Sequence, residues 1–199
     1  MGAMRAFVAV PLGEEVVRAA ARLSGELRRR LSEQGYSAKW VPPANLHVTV
    51  RFLGSMDEAQ LPAVAEVLGP LVARHASFLA TLRGIGCFPD PRRPSVLWAG
   101  LDQGAAQLER LAAEVNQGLD GLGFPEQDRP FHPHVTLARA RRGVPPPDLS
   151  ALVAEHAAVE LGSTVVREVV LFRSTLRPKG PSYDAVWRGA LNPGGRREG

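Results

Sequence analysis

Apolar residues recur along this chain with the two spacings that separate strands from helices. Alternation with a period of two, or a short unbroken apolar run, predicts a strand, whereas recurrence every three or four residues predicts an amphipathic helix. By this rule the chain has predicted strands at 5–11, 38–41, 46–53, 78–88, 96–101, 130–140, 165–176 and 183–191. Predicted helices cover 14–31, 57–75, 104–122 and 148–158, the last with Asp148 as its N-cap.

The order of these elements favours a mixed fold with antiparallel strands. Strands and helices do not alternate strictly, and no glycine-rich phosphate loop opens a helix, so a doubly wound parallel sheet is disfavoured. The phrase around His47 recurs around His134, and each copy is followed by a helix and then by a β-branched strand. We therefore predict an α+β fold in which two pseudo-symmetric α/β lobes, with antiparallel sheets, flank a central cleft. Residues 1–191 would form this single bilobal domain, and 192–199, rich in Gly and Arg, a flexible tail.

The repeated phrase reads His-apolar-Thr-apolar. It holds His47 and Thr49 in its first copy and His134 and Thr136 in its second. Residues i and i+2 of a strand point to the same face, so each histidine should face the same way as its threonine. Two imidazoles in one cleft are suited to general acid and general base chemistry near neutral pH. The alternative is two half-buried strands whose histidines bond to neighbouring carbonyls, since a short motif also arises by chance.

Basic residues outnumber acidic ones, and nearly all of them are arginines. The chain has 24 basic side chains and a net charge of +4, and Lys39 and Lys179 are its only lysines. Arginine is suited to bidentate phosphate contacts and to stacking on bases. The same composition also arises in a GC-rich genome, so the charge permits a nucleic-acid partner without identifying one.

Cysteine usage and hydropathy restrict the environment of the protein. Cys87 is the only cysteine, which excludes an intrachain disulfide and a cysteine metal cluster. No apolar run has the length needed to cross a bilayer, and the N-terminus lacks the pattern of a signal peptide. We therefore expect a cytoplasmic protein that does not associate with membranes. No surplus apolar segment demands a partner, so we expect a monomer.

A metal centre is a further alternative for the histidines. His132 and His134, together with His47, have the residue types of a metal site. Such a centre usually includes a carboxylate, and Asp128 is the only nearby candidate. We therefore predict no metal and no cofactor.

On these residues the chain resembles the 2H phosphoesterase superfamily, specifically the RNA 2′,3′-cyclic phosphodiesterases also called 2′-5′ RNA ligases. The resemblance covers most of the chain and is carried by RAFVAVPL at 5–12, KWV at 39–41, LHVTVRFLG at 46–54, PFHPHVTLAR at 130–139, LFRS at 171–174 and GPSY at 180–183. It implies a metal-independent enzyme that opens the 2′,3′-cyclic phosphate of an RNA end or of a cyclic nucleotide. The product would carry a 2′-phosphate, and the reverse reaction would join RNA ends through a 2′-5′ bond.

The resemblance also implies roles for the motif residues. His47 would be the proton donor and His134 the proton acceptor, and Thr49 and Thr136 would bind phosphate oxygens. The sequence alone leaves open which histidine is the acid, because the two motifs are nearly symmetric.

A base clamp is implied by the residue three positions after each threonine, Phe52 and Arg139. Strict alternation would place both on the opposite face from the histidines, so the clamp requires a twist, a bulge or a strand end, for which Gly54 is a candidate. Without one, Phe52 would be a core residue and Arg139 a solvated one. By the same resemblance, Arg173 and Tyr183 could reach the cleft.

Two other functions compete with the RNA phosphodiesterase. One is a non-catalytic module that binds RNA ends, although such a module has no need of both histidines. The other is a 2H phosphodiesterase for another small cyclic phosphate, such as ADP-ribose 1″,2″-cyclic phosphate or a cyclic nucleotide. Outside the motifs, the Arg92-Arg93 pair between prolines is either an RNA-backbone contact or a solvated loop.

Overall fold

The computed structural model describes residues 2–124, 130–178 and 180–194. The strands in this part of the chain are β1 (Ala3–Pro11), β2 (Ala38–Trp40), β3 (His47–Asp57), β4 (Phe78–Phe88), β5 (Val96–Leu101), β6 (His134–Ala140), β7 (Glu160–Val166), β8 (Glu168–Arg177) and β9 (Gly180–Ala190). The α-helices are α1 (Glu14–Glu33), α2 (Leu61–Arg74), α3 (Ala105–Leu119) and α4 (Ser150–Glu155). Short 3₁₀ turns occur at Pro43–Asn45, Glu58–Gln60 and Asp120–Leu122.

The strands form one antiparallel sheet with two halves. The strand order is β7-β4-β5-β6-β3-β1-β8-β9, with β2 paired to β6. The two motif strands, β3 and β6, meet at the centre, where Val48 pairs with Val135 as the one registered pair between them. One half of the sheet therefore consists of β3, β1, β8 and β9. The other half consists of β6, β5, β4 and β7, together with β2. The predicted α+β class with two antiparallel lobes is confirmed.

The helices pack on one face of the sheet and link the halves. Helix α1 follows β1, yet it contacts β6 and β7 of the other half, while α3 follows β5 and contacts β3. The buried stripe of α1, with Val16, Ala20, Leu23 and Leu27, joins a core that includes Val48. The opposite face of β3 and β6 carries the histidines and threonines.

One predicted strand is wrong. The pattern predicted a single strand at 165–176, but the structure has two, with a break at Arg167. Strand β7 pairs with β4 in one half of the sheet and β8 pairs with β1 in the other. Valine pairs stand on both sides of Arg167 and Glu168, and the pattern does not show that the two segments pair with different strands. The start of β7 at Glu160 was also missed.

The last predicted helix is shorter than expected, since α4 ends at Glu155. The Asp148 carboxylate nevertheless accepts the Ser150 backbone N–H at 2.7 Å, one residue before the position of a standard cap. No helix among the described residues is long and apolar enough to cross a membrane. Of the predicted tail, Asn192 pairs with Ala76 beside α2, and residues 195–199 lie outside the described part of the chain.

Candidate active site

The motif strands bring both His-x-Thr pairs to the same open face of the sheet. Val48 and Val135 pair across the centre and both side chains are buried in the core. Because side chains alternate along a strand, the residues that flank these valines point to the other face. The antiparallel register then places the two histidines on diagonal positions, on the order of 7–8 Å apart.

Each motif strand contains a β-bulge just after its threonine. On β3, Thr49 pairs with Ala9 and Arg51 with Val8, so Val50 is an extra residue. On β6, Thr136 pairs with Trp98 and Ala138 with Leu97, so Leu137 is extra in the same way. A bulge places two residues opposite one and shifts the phase of alternation along the strand.

The bulges place Phe52 and Arg139 on the same face as the histidines. Both line a cavity of about 350 Å³ together with Thr49, His132 and His134. Phe52 is 51% exposed, which is unlike a core residue. The bulge required for the clamp therefore exists, at Val50 rather than at Gly54, although Gly54, with φ of 72°, adjoins a second irregularity of β3.

The side chain of His47 is held at both ring nitrogens. Its Nδ1 lies 2.7 Å from the Asn45 carbonyl oxygen, which fixes a proton on Nδ1, and its Nε2 lies 3.0 Å from Thr49 Oγ1. The ring stacks on Phe7 with centroids 4.9 Å apart and meets the edge of Tyr183 at 5.5 Å. The imidazole is therefore fixed in orientation, with Nε2 directed at the motif threonine.

His134 is held in the same way at one nitrogen only. Its Nδ1 lies 2.7 Å from the His132 carbonyl oxygen. Within the described residues, Nε2 makes no hydrogen bond, and the side chain lines the cavity. Phe88 meets the ring edge at 5.0 Å and Trp98 lies 6.2 Å away. The free nitrogen thus carries a lone pair that faces the cavity.

The surroundings of both histidines favour the uncharged imidazole at neutral pH. Burial lowers the pKa of His47 from 6.5 to about 4; the hydrogen bond to Asn45 opposes this, and the charges of Arg139 and His134 add to it. Burial also lowers the pKa of His134, opposed by the His132 carbonyl and helped by the charges of His132 and Arg139. Arg139 therefore lies within electrostatic reach of both imidazoles.

The site is lined by aromatic side chains that the sequence analysis did not identify as site residues. Phe7 lies against His47, and Phe172 stacks on Phe7 at 5.4 Å. Phe88 and Trp98 take the equivalent place beside His134. Their strands were predicted, but a period-two pattern cannot tell which face is the site when residues on both faces are buried, as in β1.

Tyr183 reaches the site and Arg173 does not. Tyr183 lines a cavity of about 360 Å³ with His47 and Phe172. Arg173 instead pairs with the Glu58 carboxylate at 2.9 Å and contacts the Met4 sulfur. The expectation that Arg173 touches the cleft is therefore wrong, because this strand position faces an acidic partner away from the histidines.

The described residues contain no group of three or more His, Cys, Asp or Glu side chains that is arranged to hold a metal ion. Asp128, the carboxylate considered for a metal centre, lies outside the described residues. His132 lines the cavity beside Trp98, with ring centroids 4.9 Å apart. The donors that the site does present are imidazoles, hydroxyls and one guanidinium.

The chain is similar to proteins of one family over most of its length. The model of the 2′-5′ RNA ligase superfamily matches residues 14–177. A protein of Aeropyrum pernix named RNA 2′,3′-cyclic phosphodiesterase is 37% identical over 170 residues, which are 85% of this chain and 96% of that protein. A Thermus thermophilus protein of the same name is 36% identical, with 98% of this chain and 100% of that protein covered.

Solved structures give the same result. A protein of Thermus thermophilus superposes with a TM-score of 0.77 at 35% identity, covering 94% of this chain and 98% of that one. The E. coli protein LigT complexed with 3′-AMP superposes with a TM-score of 0.75 at 27% identity, covering 96% of this chain and 99% of that one.

Proposed function

Because the chain belongs to the 2′-5′ RNA ligase superfamily, we propose that it is an RNA 2′,3′-cyclic phosphodiesterase that leaves a 2′-phosphate. The observation that carries this proposal is the convergence of His47 and His134, each with Nδ1 bonded to a backbone carbonyl and Nε2 facing the cleft. The names of the similar Aeropyrum pernix and Thermus thermophilus proteins support the substrate class.

We assign the proton acceptor to His134. Its Nε2 has no hydrogen-bond partner among the described residues and faces the cavity, so it is open to a water molecule. Neutral imidazole at that position removes the proton of the water as the oxygen bonds to phosphorus. His134 then carries a positive charge, and its Nδ1–H remains bonded to the His132 carbonyl.

We assign the proton donor to His47. As phosphorus bonds to the water oxygen, its bond to the 3′ oxygen breaks, and that oxygen takes the proton from Nε2 of His47. Burial disfavours the charged form of His47, so it favours transfer of this proton to the leaving oxygen. Proton exchange with solvent then returns His134 to the neutral form, and His47 takes up a proton again when the next phosphate binds.

Binding of the anionic substrate favours the protonated form of His47, which the role of proton donor requires. Burial alone favours neutral His47 at pH 7, because it disfavours the charged form. A cyclic phosphate is an anion, and an opposite charge within a few ångströms raises the pKa of an imidazole. We therefore propose that phosphate binding and protonation of His47 are coupled, with Thr49 and Thr136 donating hydroxyl hydrogen bonds to the phosphate oxygens.

The terminal base has a place beside this phosphate site. Phe52 and Arg139 line one cavity with His134, and an aromatic face and a guanidinium both stack on a nucleobase. Stacking is tolerant of base identity, so we expect little base preference from this pair.

Product analysis without metal tests the proposal. The protein is incubated with 2′,3′-cyclic AMP and with an RNA oligomer that ends in a cyclic phosphate, in excess EDTA, and the product isomer is identified. We expect a 2′-phosphate from both. Turnover that requires an added divalent ion, or binding of RNA with no turnover in any condition, would overturn it; a far better rate on ADP-ribose 1″,2″-cyclic phosphate would reassign the substrate.

Substitution of the two histidines tests the assigned chemistry. His47→Ala and His134→Ala should each lower kcat at least about 100-fold, since each removes one proton transfer. The control is Phe52→Leu, which leaves both imidazoles in place and should act mainly on KM for the nucleotide. A histidine variant that folds and keeps near-wild-type turnover would refute the two-histidine mechanism.

We also propose that the enzyme works as a monomer in the cytoplasm. Cys87 is buried, and burial raises the pKa of its thiol to about 11, so the thiol stays protonated and unreactive. Thiols stay reduced in a compartment such as the cytoplasm, which agrees with a free cysteine. Light scattering should give a mass near 21.4 kDa; a mass of twice that value would show a dimer.

A further inference from the structure

A second, wider groove opens from the site cavity at Arg139. The groove has a volume of about 810 Å³ and shares Arg139 and Val96 with the cavity that holds His134. Two pairs of arginines line it, Arg92 and Arg93 from the loop between β4 and β5, and Arg141 and Arg142 from the turn after β6. No acidic side chain is among its lining residues. We call the four side chains at 92, 93, 141 and 142 the arginine groove.

The backbone that carries these arginines is fixed by hydrogen bonds. The Arg92 N–H donates to the Asp90 carboxylate at 2.7 Å and the Arg93 N–H to the Asp90 carbonyl at 3.0 Å. Across the groove, the Arg141 N–H donates to the Ser37 carbonyl at 2.8 Å. The four side chains are exposed, but the backbone at Arg92, Arg93 and Arg141 is held in place, which lowers the entropic cost of binding an extended ligand.

The arginine groove also lacks direct ion pairs. Other arginines, such as Arg30 and Arg188, make ion pairs with carboxylates. Within the described ranges, none of the four groove arginines makes such a pair. Asp90 and Asp148, the acidic residues at the margin, each accept a backbone N–H instead. The hydrogen bonds from Ser150 lower the pKa of Asp148, and the charge of Arg92 adds a smaller contribution. The groove thus carries four guanidinium groups whose hydrogen-bond donors remain available to a ligand.

The cavity on the other side of His47 has different chemistry. Its lining is mostly prolines, aliphatic side chains and the rings of His47, Phe172 and Tyr183, with Asn45 as an uncharged polar residue. Its two acidic or basic side chains other than His47, Glu14 and Arg18, pair with each other at 3.4 Å. Of these two cavities, as the described residues line them, the one at Arg139 leads a polyanion to unpaired positive charge.

We propose that the arginine groove binds the phosphates of the RNA strand on the 5′ side of the cyclic end. This inference rests on the proposed function and deepens it, since it makes an oligonucleotide the preferred substrate over a cyclic mononucleotide. With the terminal base between Phe52 and Arg139, the next phosphates of the strand lie along the groove. Arginine matches phosphate oxygens bidentately, and each neutralised phosphate of a single strand adds a salt-dependent contribution to affinity.

The test compares substrates that differ only in the number of upstream phosphates. Hydrolysis of 2′,3′-cyclic AMP and of RNA oligomers of two, four and eight nucleotides with the same cyclic end is measured for three double variants. Two of them, Arg92→Ala/Arg93→Ala and Arg141→Ala/Arg142→Ala, remove charge from the groove. The third, Arg110→Ala/Arg167→Ala, is a matched control, because these exposed arginines line cavities that share no residue with the groove.

For the wild-type protein, kcat/KM should rise with oligomer length and fall with added salt. Each groove variant should lower kcat/KM for the eight-nucleotide RNA about tenfold and reduce the salt slope, by roughly 0.7 for each phosphate that the variant no longer neutralises. The mononucleotide rate should change less than threefold, since that substrate has no phosphate to place in the groove. The control variant should match the wild type on every substrate.

The outcomes separate this inference from the proposed function. If no substrate is hydrolysed, the proposed function fails. If 2′,3′-cyclic AMP and all oligomers are hydrolysed with the same kcat/KM, or if the control variant loses as much as the groove variants, the function stands and the arginine groove is refuted.

Discussion

Each motif histidine is oriented by a carbonyl group two residues before it on its own chain. The Nδ1 atoms of His47 and His134 lie 2.7 Å from the carbonyl oxygens of Asn45 and His132. No distant side chain is needed for this orientation, so a short segment of chain contains the imidazole, its tautomer and the threonine. Because all of these parts lie in one short segment, the same motif can be recognised in two otherwise different halves of one protein.

The buried imidazoles should make stability depend on pH. In the unfolded chain His47 binds a proton near pH 6.5, whereas burial lowers its pKa to about 4 and keeps it neutral in the folded protein above that pH. The contribution of His47 to the free energy of unfolding is therefore fully present above pH 6.5. It is lost as the pH falls towards 4, by at most about 3 kcal/mol. Urea unfolding between pH 7 and 4 should show this loss, and His47→Gln should reduce the slope. An unchanged slope would contradict the burial argument; His134, whose pKa is also lowered, should retain part of it.

At the residue scale, the sequence predicts which histidine and threonine share a face, but it does not predict which side chains from other strands surround them. His47 with Thr49, and His134 with Thr136, follow from alternation along a strand, which depends only on local geometry. The contact of Phe7 with His47 does not, because it joins strands whose register is set by the whole sheet. The expectation that Arg173 reaches the cleft was wrong for the same reason, since its partner Glu58 lies on a different element.

At the scale of elements, the bulge in β3 is tied to helix α3. The Arg51 side chain, which is 1% exposed, lies 2.5 Å from the Asn116 carbonyl oxygen and 3.1 Å from the Asp120 carboxylate. Arg51 adjoins the extra residue Val50 and precedes Phe52. A buried arginine therefore fixes the segment that directs Phe52 to the open face.

Replacing Arg51 should affect both stability and the site. Arg51→Met keeps the apolar stem but removes charged hydrogen bonds, and it should lower the free energy of unfolding by about 1.5–3 kcal/mol and raise KM for 2′,3′-cyclic AMP. The control is Arg83→Met, whose pair with Asp102 is exposed and should contribute less than about 1 kcal/mol. Equal losses in the two variants would mean that the contacts of Arg51 with α3 add nothing.

A glycine beside Trp98 maintains the wall behind His134. A Cβ atom on Gly86 would lie 2.3 Å from the Trp98 ring, whose centroid is 4.9 Å from that of His132. Gly86→Ala should push the indole towards the histidines and lower kcat/KM for 2′,3′-cyclic AMP by roughly tenfold, about 1.4 kcal/mol of transition-state stabilisation. Gly25→Ala in α1 is the control: its nearest neighbour is the end of a flexible arginine at 4.0 Å, and helix propensity should stabilise the protein by roughly 0.5–1 kcal/mol. Unchanged activity of Gly86→Ala would show that Trp98 does not position the site.

Element boundaries were predictable where polarity changes sharply. The limits of β4 and β5 match the predicted ones, because a proline-rich loop separates two apolar runs. The break between β7 and β8 is marked in the sequence only by Arg167 and Glu168 between two valine pairs, and the change of neighbouring strand has no local signal. The bulges were not predictable either: each shows in the structure as two consecutive buried positions, Val50 with Arg51 and Leu137 with Ala138, and the charge of Arg51 conceals the first of them in the sequence.

At the scale of the molecule, the helices compensate for a weak seam in the sheet. The halves share one registered backbone pair, Val48 with Val135, but α1 and α3 each pack on the half that does not contain the strand preceding them. Unfolding either half would expose a helix of the other. We therefore predict that the chain unfolds as one cooperative unit.

Two tryptophans allow this prediction to be measured. Trp98 lies on β5 in one half and Trp187 on β9 in the other. Variants that retain one of them, with phenylalanine at the other two tryptophan positions, should give urea midpoints that coincide with the midpoint from far-ultraviolet circular dichroism. Fluorescence midpoints that differ between the halves would show two independent folding units.

The paired bulges also determine which changes of chain length the site tolerates. Deleting Val50 or Leu137 would remove the extra residue and return the strand to regular alternation, with Phe52 or Arg139 still on the open face. Deleting Val48 instead would place His47 and Thr49 on opposite faces, because neighbouring residues of a strand point in opposite directions. Among homologous chains, single-residue gaps within these strands should therefore occur at the bulge position and be absent between the histidine and the threonine.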